Sequence, residues 1–392
     1  MMPKVLALDS TYETCATAID KVFETFPTDL KGKTVCLKVN GVVKCDDPDT
    51  LAFVTNPRFV QAVIKKVESL GAKSIVVGDS IGTNDYGKSE EVFACNGLKD
   101  GAGAYYKNVN KYWKLVDIEH PKKRKAAVLK DVLDADVFIS LPKLKTHAVT
   151  RISGGVKNNF GLYNGLQKSL FHYESFTTED FAHMLAEIYN LRKPDLIICD
   201  GIMAMQGFGP VSDEVYHLNK VVAGIDGVAI DTVFANMLGL TLDDVPVLQV
   251  CRDEKLGETD LSKIELIGEM KLNAGPWHVP PPPASPYSFK RGPIVVYIER
   301  FRTRVATRPE IDPAICAACE ACKDEPLCVK NCPSGALTGT RGSVSCKKDV
   351  CMLCTTCSEW CPSGALTLPE DMEISAALQA YENEHYPVLK YD

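Results

Sequence analysis

Ten of the sixteen cysteines in this 392-residue chain fall between Cys316 and Cys361, separated by short, regular gaps. Two segments repeat: Cys328-Val-Lys-Asn-Cys332-Pro-Ser-Gly-Ala-Leu-Thr and Cys357-Ser-Glu-Trp-Cys361-Pro-Ser-Gly-Ala-Leu-Thr. The second copy is complete upstream as Cys351-x2-Cys354-x2-Cys357-x3-Cys361-Pro. Thiolates grouped this densely bind metal rather than one another. Two-residue gaps let a tight loop turn three thiolates to one concave side, and soft sulfur in tetrahedral array suits iron. Cys-Pro then turns the chain away, so the last thiolate faces a neighbouring site. Structural zinc is the plainer alternative, but it pairs two Cys-x2-Cys knuckles and needs neither a third cysteine nor Cys-Pro.

The spacing resembles that of the bacterial two-cluster ferredoxins, in which the fourth cysteine of each run ligates the other cluster. The resemblance implies two [4Fe–4S] clusters, one on Cys316, Cys319, Cys328 and Cys361 and the other on Cys351, Cys354, Cys357 and Cys332. The first run offers four cysteines for three places. Cys316-x2-Cys319-x8-Cys328-x3-Cys332-Pro is similar to a ferredoxin variant with an insertion between its second and third ligands, and Cys322 is the alternative to Cys328. Cys346 is read as a structural residue. Cys15, Cys36, Cys45, Cys95, Cys199 and Cys251 are scattered singly and are expected to be small buried hydrophobes.

A second group of chemical residues lies in the first half of the chain. Lys143, Lys145, His147, Arg151 and Lys157 follow an apolar run and are read as a loop at a strand's carboxyl end, the edge where α/β sheets bind ligands. Gly154 and Gly155 would let the backbone approach a ligand. The group suits a small anionic substrate, a carboxylate or phosphate, against the plainer reading of a solvated basic loop. The phrases Lys38-Val-Asn40, Leu141-Pro-Lys-Leu-Lys-Thr-His147, Gly154-Gly-Val-Lys-Asn-Asn-Phe-Gly161 and Asp200-Gly-Ile-Met-Ala-Met-Gln-Gly-Phe-Gly-Pro210 resemble the prokaryotic family known as domain of unknown function 362, often fused to a ferredoxin domain. That resemblance implies the architecture and no settled reaction.

The order His147, Lys157, His172 is also similar to the lactate racemase family, whose lysine tethers a nickel pincer nucleotide while histidines supply metal ligation and acid–base chemistry. Asn158-Asn159-Phe160-Gly161 stands here in place of the Pro-Gly that would follow the lysine. Lys143, Lys145 and His172 are expected on the ligand side and His147, Lys157 and Asp200 in catalysis; of these, His147, Lys157 and His172 are the ones that resemblance implies, the others following from the basic and acidic residues of the pocket itself. Gly82 to Ser89 fits a phosphate-binding loop, but Asp85 would put negative charge inside it. Gly78-Asp79-Ser80 reads better as a further loop on the same edge. Asp226 is expected to cap a helix, as Asp231 could, and Asp200 is the acidic candidate for the pocket.

These groups need elements to hold them. Apolar runs at Val5–Leu8, Val35–Val39, Ser74–Val77, Val137–Leu141, Leu196–Cys199 and Val221–Ala223 read as strands. Amphipathic stretches at Pro57–Leu70, Glu179–Leu191 and Ala229–Leu238 read as helices. The alternation predicts a layered α/β domain with a parallel or mixed sheet over residues 1–274. A Pro-rich and basic connector (275–310) holds the run Pro280 to Pro283, then Lys290, Arg291, Arg300, Arg302, Arg304 and Arg308. A small α+β ferredoxin-like domain (311–368) and a C-terminal tail (369–392) complete the plan.

Hydrophobic residues make up 45% of the chain, charged residues 24%, and the net charge is −7. That balance argues against nucleic acid as a partner. Without a signal-like N-terminus or a long apolar run, a cytoplasmic protein with no membrane span is expected. The sequence therefore reads as an iron–sulfur electron-transfer protein, possible oxidoreductase chemistry included, with a redox partner protein and a small anionic substrate. The alternatives are a ferredoxin-type carrier or accessory subunit without catalysis, and a metal-nucleotide-dependent enzyme.

Overall fold

The computed structural model describes residues 2–82, 85–175, 177–268, 270, 276–280, 308–323 and 325–368. The prolines beyond Pro280, the basic residues from Lys290 to Arg304 and the 369–392 tail lie outside the described residues.

The first domain is built on a mixed sheet. Its strands are β1 (Lys4–Asp9), β2 (Thr34–Lys38), β3 (Ser74–Gly78) and, after the separate hairpin β4 (Trp113–Ile118) and β5 (Arg124–Leu129), β6 (Val137–Ser140). There follow β7 (Lys143–His147), β8 (Arg151–Ser153), β9 (Leu196–Met205), β10 (Val215–Tyr216), β11 (Lys220–Gly224) and β12 (Glu265–Gly268). The path runs β12-β1-β11-β9-β6-β2-β3, with β10 and β7 also beside β9 and β8 beside β7. The β9-β6-β2-β3 stretch is parallel, so these strands end on one edge.

Two apolar layers sandwich this sheet. Phe59, Val60, Val63, Ile64 and Val67 recur along helix Pro57–Ser69 at helical spacing and bury its inner face in one layer. Asn56 caps that helix by accepting from the Arg58 amide, with Pro57 in the first turn. Helices Thr178–Leu191 and Gly227–Met237 cover the other face through residues such as Phe181, Leu185, Tyr189, Val233 and Phe234. Asp226 caps the latter, accepting from the amides of Val228 and Ala229. Trp277 in the described part of the connector stacks on Tyr216 at 3.8 Å.

The strand and helix expectations hold within a residue or two, except that the strand from Leu196 runs on to Met205. The clear difference is Lys143–His147, read from sequence as a loop. It is a strand, β7, buried at all five positions. Asp200 donates its amide to the Pro142 carbonyl at 2.9 Å, so the chain leaving β6 pairs on along β9. An irregularity between Lys143 and Lys145 breaks the register once. Four polar residues in five concealed β7 from hydrophobicity-based reading.

Residues 308–368 form short helices and two two-stranded ribbons, Glu310–Ile311 with Leu366–Thr367 and Leu337–Thr338 with Ser345–Cys346. Each repeated Ala-Leu-Thr phrase thus supplies one ribbon strand. Among the described residues no helix is long and apolar enough to cross a membrane.

Candidate functional site

The ten clustered cysteines gather around two separate cavities. One, with about 380 Å³ of empty space, is lined by Cys332, Cys346, Cys351, Cys354 and Cys357. The other, about 310 Å³, is lined by Cys316, Cys319, Cys322, Cys328 and Cys361. Each draws its thiols from one run plus a single cysteine following the helix of the other. Cys332 and Cys361 make that exchange, each lying just past a short helix, Leu327–Lys330 and Thr356–Trp360, with a proline following it.

Among the described residues no three His, Cys, Asp or Glu side chains converge on a point that could hold a single metal ion. Burial pushes the thiol of Cys328 up to about 11, Cys346 to about 11, Cys354 to about 12, and Cys357 well above its ordinary value. Cations binding here would have to displace those protons. Cys346, read from sequence as structural, lines the first cavity and is hydrogen-bonded to the neighbouring free thiol of Cys351. Cys322 and Cys328 both line the second.

The other chemical group collects at the carboxyl ends of the parallel strands. Lys38 ends β2 and Asp79 follows β3, and the two pair at 2.7 Å with almost no exposure. Lys38 also donates to Asn158 Oδ1 at 3.1 Å. Asp79 accepts from the amides of Gly41 and Ser80. Gly161 lies over this pair, and a β-carbon there would meet Asp79 Oδ1 at 2.5 Å and Lys38 Nζ at 2.7 Å. Lys168 donates to Ser80 Oγ and to the Tyr163 carbonyl.

Along β7, Lys143 pairs with Asp200 at 2.9 Å, and both side chains are fully shielded from solvent. Tyr12 donates to Asp200 at 3.1 Å, as does the Asn56 amide at 2.9 Å. Asp200 and Lys143 are thus joined to each other and to the core. Lys145 has no carboxylate partner among the described residues and donates to the carbonyls of Phe53 and Pro210. Burial holds its pKa well below the ordinary lysine value, and Lys157 and Lys143 lower it further.

His147 is buried, and its Nδ1 accepts from the amides of Val149 at 3.0 Å and Thr150 at 3.3 Å. Those bonds fix the tautomer with the proton on Nε2. Burial, then the charges of Lys157 and His172, keeps its pKa well below the usual histidine range. Lys157 opens the 3-10 turn Lys157–Leu162, half-buried, with its pKa lowered to about 8 by burial and by Lys38. His172, on helix Gln167–Glu174, stacks on Phe181 at 4.0 Å and is lowered by burial and Lys157. His147, Lys157 and His172 therefore lie within electrostatic reach of one another. Asn40 Oδ1, two residues past Lys38, is buried without a hydrogen-bond partner.

Gly154 and Gly155 have a packing role not visible in the sequence. A β-carbon on Gly154 would collide with Asp231 Oδ1, and one on Gly155 would lie 2.9 Å from the Gly227 backbone. Asp231 accepts from the amides of Gly155 at 2.6 Å and Val156 at 3.0 Å, with burial raising its pKa to about 7. The glycines seat the loop on helix Gly227–Met237. The phosphate-loop reading also gives way: Ser89 is committed, its hydroxyl donating to Glu359 at 2.6 Å and its amide at 3.3 Å.

Glu359 belongs to the Cys-rich domain and also accepts from Asn108 at 2.8 Å. Trp360 Nε1 donates to the Lys111 carbonyl at 3.0 Å. Leu353 packs with Tyr86 and Leu166 of the α/β domain. The cavity holding Cys354 therefore abuts the sheet edge that carries Asp79 and Ser80.

An α/β domain with lysines buried at and beside the carboxyl ends of its parallel strands, joined to a cysteine-lined domain, is the class of protein defined by this geometry. The family described as Domain of unknown function (DUF362) matches residues 35–236, just over half of the chain, and the chain belongs to that family. The thylakoid-associated protein sll1697 of Synechocystis sp. (strain ATCC 27184 / PCC 6803 / Kazusa) is 39% identical over 129 residues, covering 33% of this chain and 40% of that protein. The match thus spans less than half of that relative's length. A crystal structure of a protein from Thermotoga maritima is 13% identical with a TM-score of 0.38, covering 60% of this chain and 61% of that one.

Proposed function

We propose that the chain is an iron–sulfur oxidoreductase in which two [4Fe–4S] clusters relay electrons between a partner protein and a small anionic substrate in the α/β domain. The observation that carries this reading is the exchange of Cys332 and Cys361 between two cysteine-lined cavities. That exchange is the ligand pattern of two-cluster ferredoxins. Clusters bound there would supply one-electron transfer, and Cys316, Cys319, Cys328, Cys361 and Cys351, Cys354, Cys357, Cys332 would hold them. A reducing compartment such as the cytoplasm keeps those thiols available for iron.

The chain's own groups define what the substrate must be. Lys38 and Lys143 have carboxylate partners, whereas Lys145 and Lys157 have none among the described residues. An anion between them would relieve their mutual repulsion. His147, with Nδ1 occupied and the proton on Nε2, is a neutral hydrogen-bond donor. Lys157, lowered to about 8, is then the group able to give and regain a proton near neutral pH. Asp200 positions Lys143 rather than meeting substrate.

Iron and acid-labile sulfide counts on anaerobically purified protein test the cluster reading. Turnover with an anionic substrate, lost in Lys157→Ala while the visible cluster absorption persists, separates an enzyme from a carrier. The mutual proximity of His147, Lys157 and His172 favours one second reading, a metal-nucleotide-dependent enzyme related to the lactate racemase family. Nickel or a nucleotide in a metal and mass-spectrometric analysis would support it.

A further inference from the structure

The two cysteine cavities differ sharply in their surroundings. Among the described residues, the polar contacts between the domains come from Thr356, Glu359 and Trp360, on the short helix that runs from the Cys351–Cys354–Cys357 cavity toward Cys361 of the other. Gly165 of the α/β domain, at φ +57°, lies so close to Cys354 and Thr355 that a β-carbon on it would collide with the Cys354 carbonyl and Thr355 Oγ1. The Cys316–Lys323 segment of the other cavity is instead solvent-exposed on either side of its cysteines.

From Gly165 a continuous chain of hydrogen bonds leads inward. The Gly165 amide donates to Ser80 Oγ at 3.1 Å, and the Ser80 amide to Asp79 Oδ1 at 2.8 Å. Asp79 pairs with Lys38 at 2.7 Å, and Lys38 donates to Asn158, the neighbour of Lys157. Gly165, packed against the Cys354 loop, is thus joined through Ser80, Asp79 and Lys38 to Asn158 beside the lysine group.

We infer that the two cavities act in series, the Cys351–Cys354–Cys357 cavity as the inner electron site against the substrate domain and the Cys316–Cys319–Cys328 cavity as the outer one. This rests on the cluster reading proposed above. An electron entering from a one-electron carrier protein oxidises that carrier by one equivalent and reduces the outer site by one. Passing inward, it returns the outer site to its oxidised state and reduces the inner site by one equivalent, with no atom transferred. The Gly165–Ser80–Asp79–Lys38 chain then offers a bonded path toward the anion.

The test uses the full-length, anaerobically prepared protein and low-temperature electron paramagnetic resonance with potentiometric titration. Cys357→Ser and Cys319→Ser assign the two signals, because each changes a ligand of one site. Gly165→Ala and, as a milder variant that removes packing on Leu353, Leu166→Ala are then compared with the wild type. The inference expects both to shift the line shape and midpoint of the signal altered by Cys357→Ser and to leave the other unchanged. A shift confined to the Cys319→Ser signal, or no shift in either variant, overturns the series order. A wild-type protein without iron signals instead overturns the cluster reading itself.

Discussion

Lys143 Nζ and Asp200 Oδ2 stand 2.9 Å apart with neither side chain reached by solvent. The Tyr12 hydroxyl bridges them, accepting from the lysine at 2.9 Å and donating to the carboxylate. A charge pair this deep is strongly linked to folding, because each ion depends on the other for its solvation.

Removing one partner leaves the other charged and unpaired. Lys143→Met or Asp200→Leu should each cost roughly 3–5 kcal/mol of stability, measured by denaturant unfolding. The double variant should recover part of that loss. Equal additive losses would mean that the pair is not coupled.

Anion binding should depend on Lys157. With its pKa lowered to about 8, it carries charge below that pH and loses it above. Affinity for inorganic phosphate as a probe, measured calorimetrically, should fall as pH rises through about 8, by up to about tenfold per unit. Stability should move the opposite way. Between about 8 and 10.5 the unfolded lysine holds a proton that the folded one has lost, so folding becomes more favourable as pH rises. Lys157→Met should remove both trends.

Asp231 should show the reverse slope. Its pKa rises from 3.8 to about 7 on folding, so the folded state holds the extra proton across that window. Its contribution is therefore most favourable below about 4 and is lost as pH climbs through about 7. Asp231→Asn should flatten this part of the stability profile. Gly154→Ala, which drives a methyl group into the same carboxylate, should destabilise at every pH.

The layered domain was legible because strands Thr34–Lys38 and Val137–Ser140 each carry three consecutive apolar residues and helix Pro57–Ser69 has a clean 3.6-residue period. β7 was not, because Lys143, Lys145 and His147 break the apolar signal that marks a buried strand. Spacing alone grouped the cysteines, but the place of Cys346 depended on the ribbon Leu337–Thr338 with Ser345–Cys346, whose two-residue strands leave no pattern. Asp79 and Ser80 were recognised as an edge loop from their position after a strand. Their bonds to Lys38, Gly165 and Lys168 span distant segments and could come only from the fold.

Ser89 ties the domains rather than cradling phosphate. Ser89→Ala removes a hydroxyl that donates to a carboxylate at 2.6 Å, and should cost about 1.5–3 kcal/mol in thermal or denaturant unfolding. Magnesium–ATP should leave the melting temperature of both proteins unchanged. Protection of the wild type alone would restore the phosphate-loop reading.

The central claim is tested most directly by iron and acid-labile sulfide analysis with Mössbauer spectroscopy on protein purified without oxygen. The cluster account requires about eight irons and eight sulfides per chain, in cubane environments. A colourless protein that carries zinc or no metal in the same cysteines would contradict it.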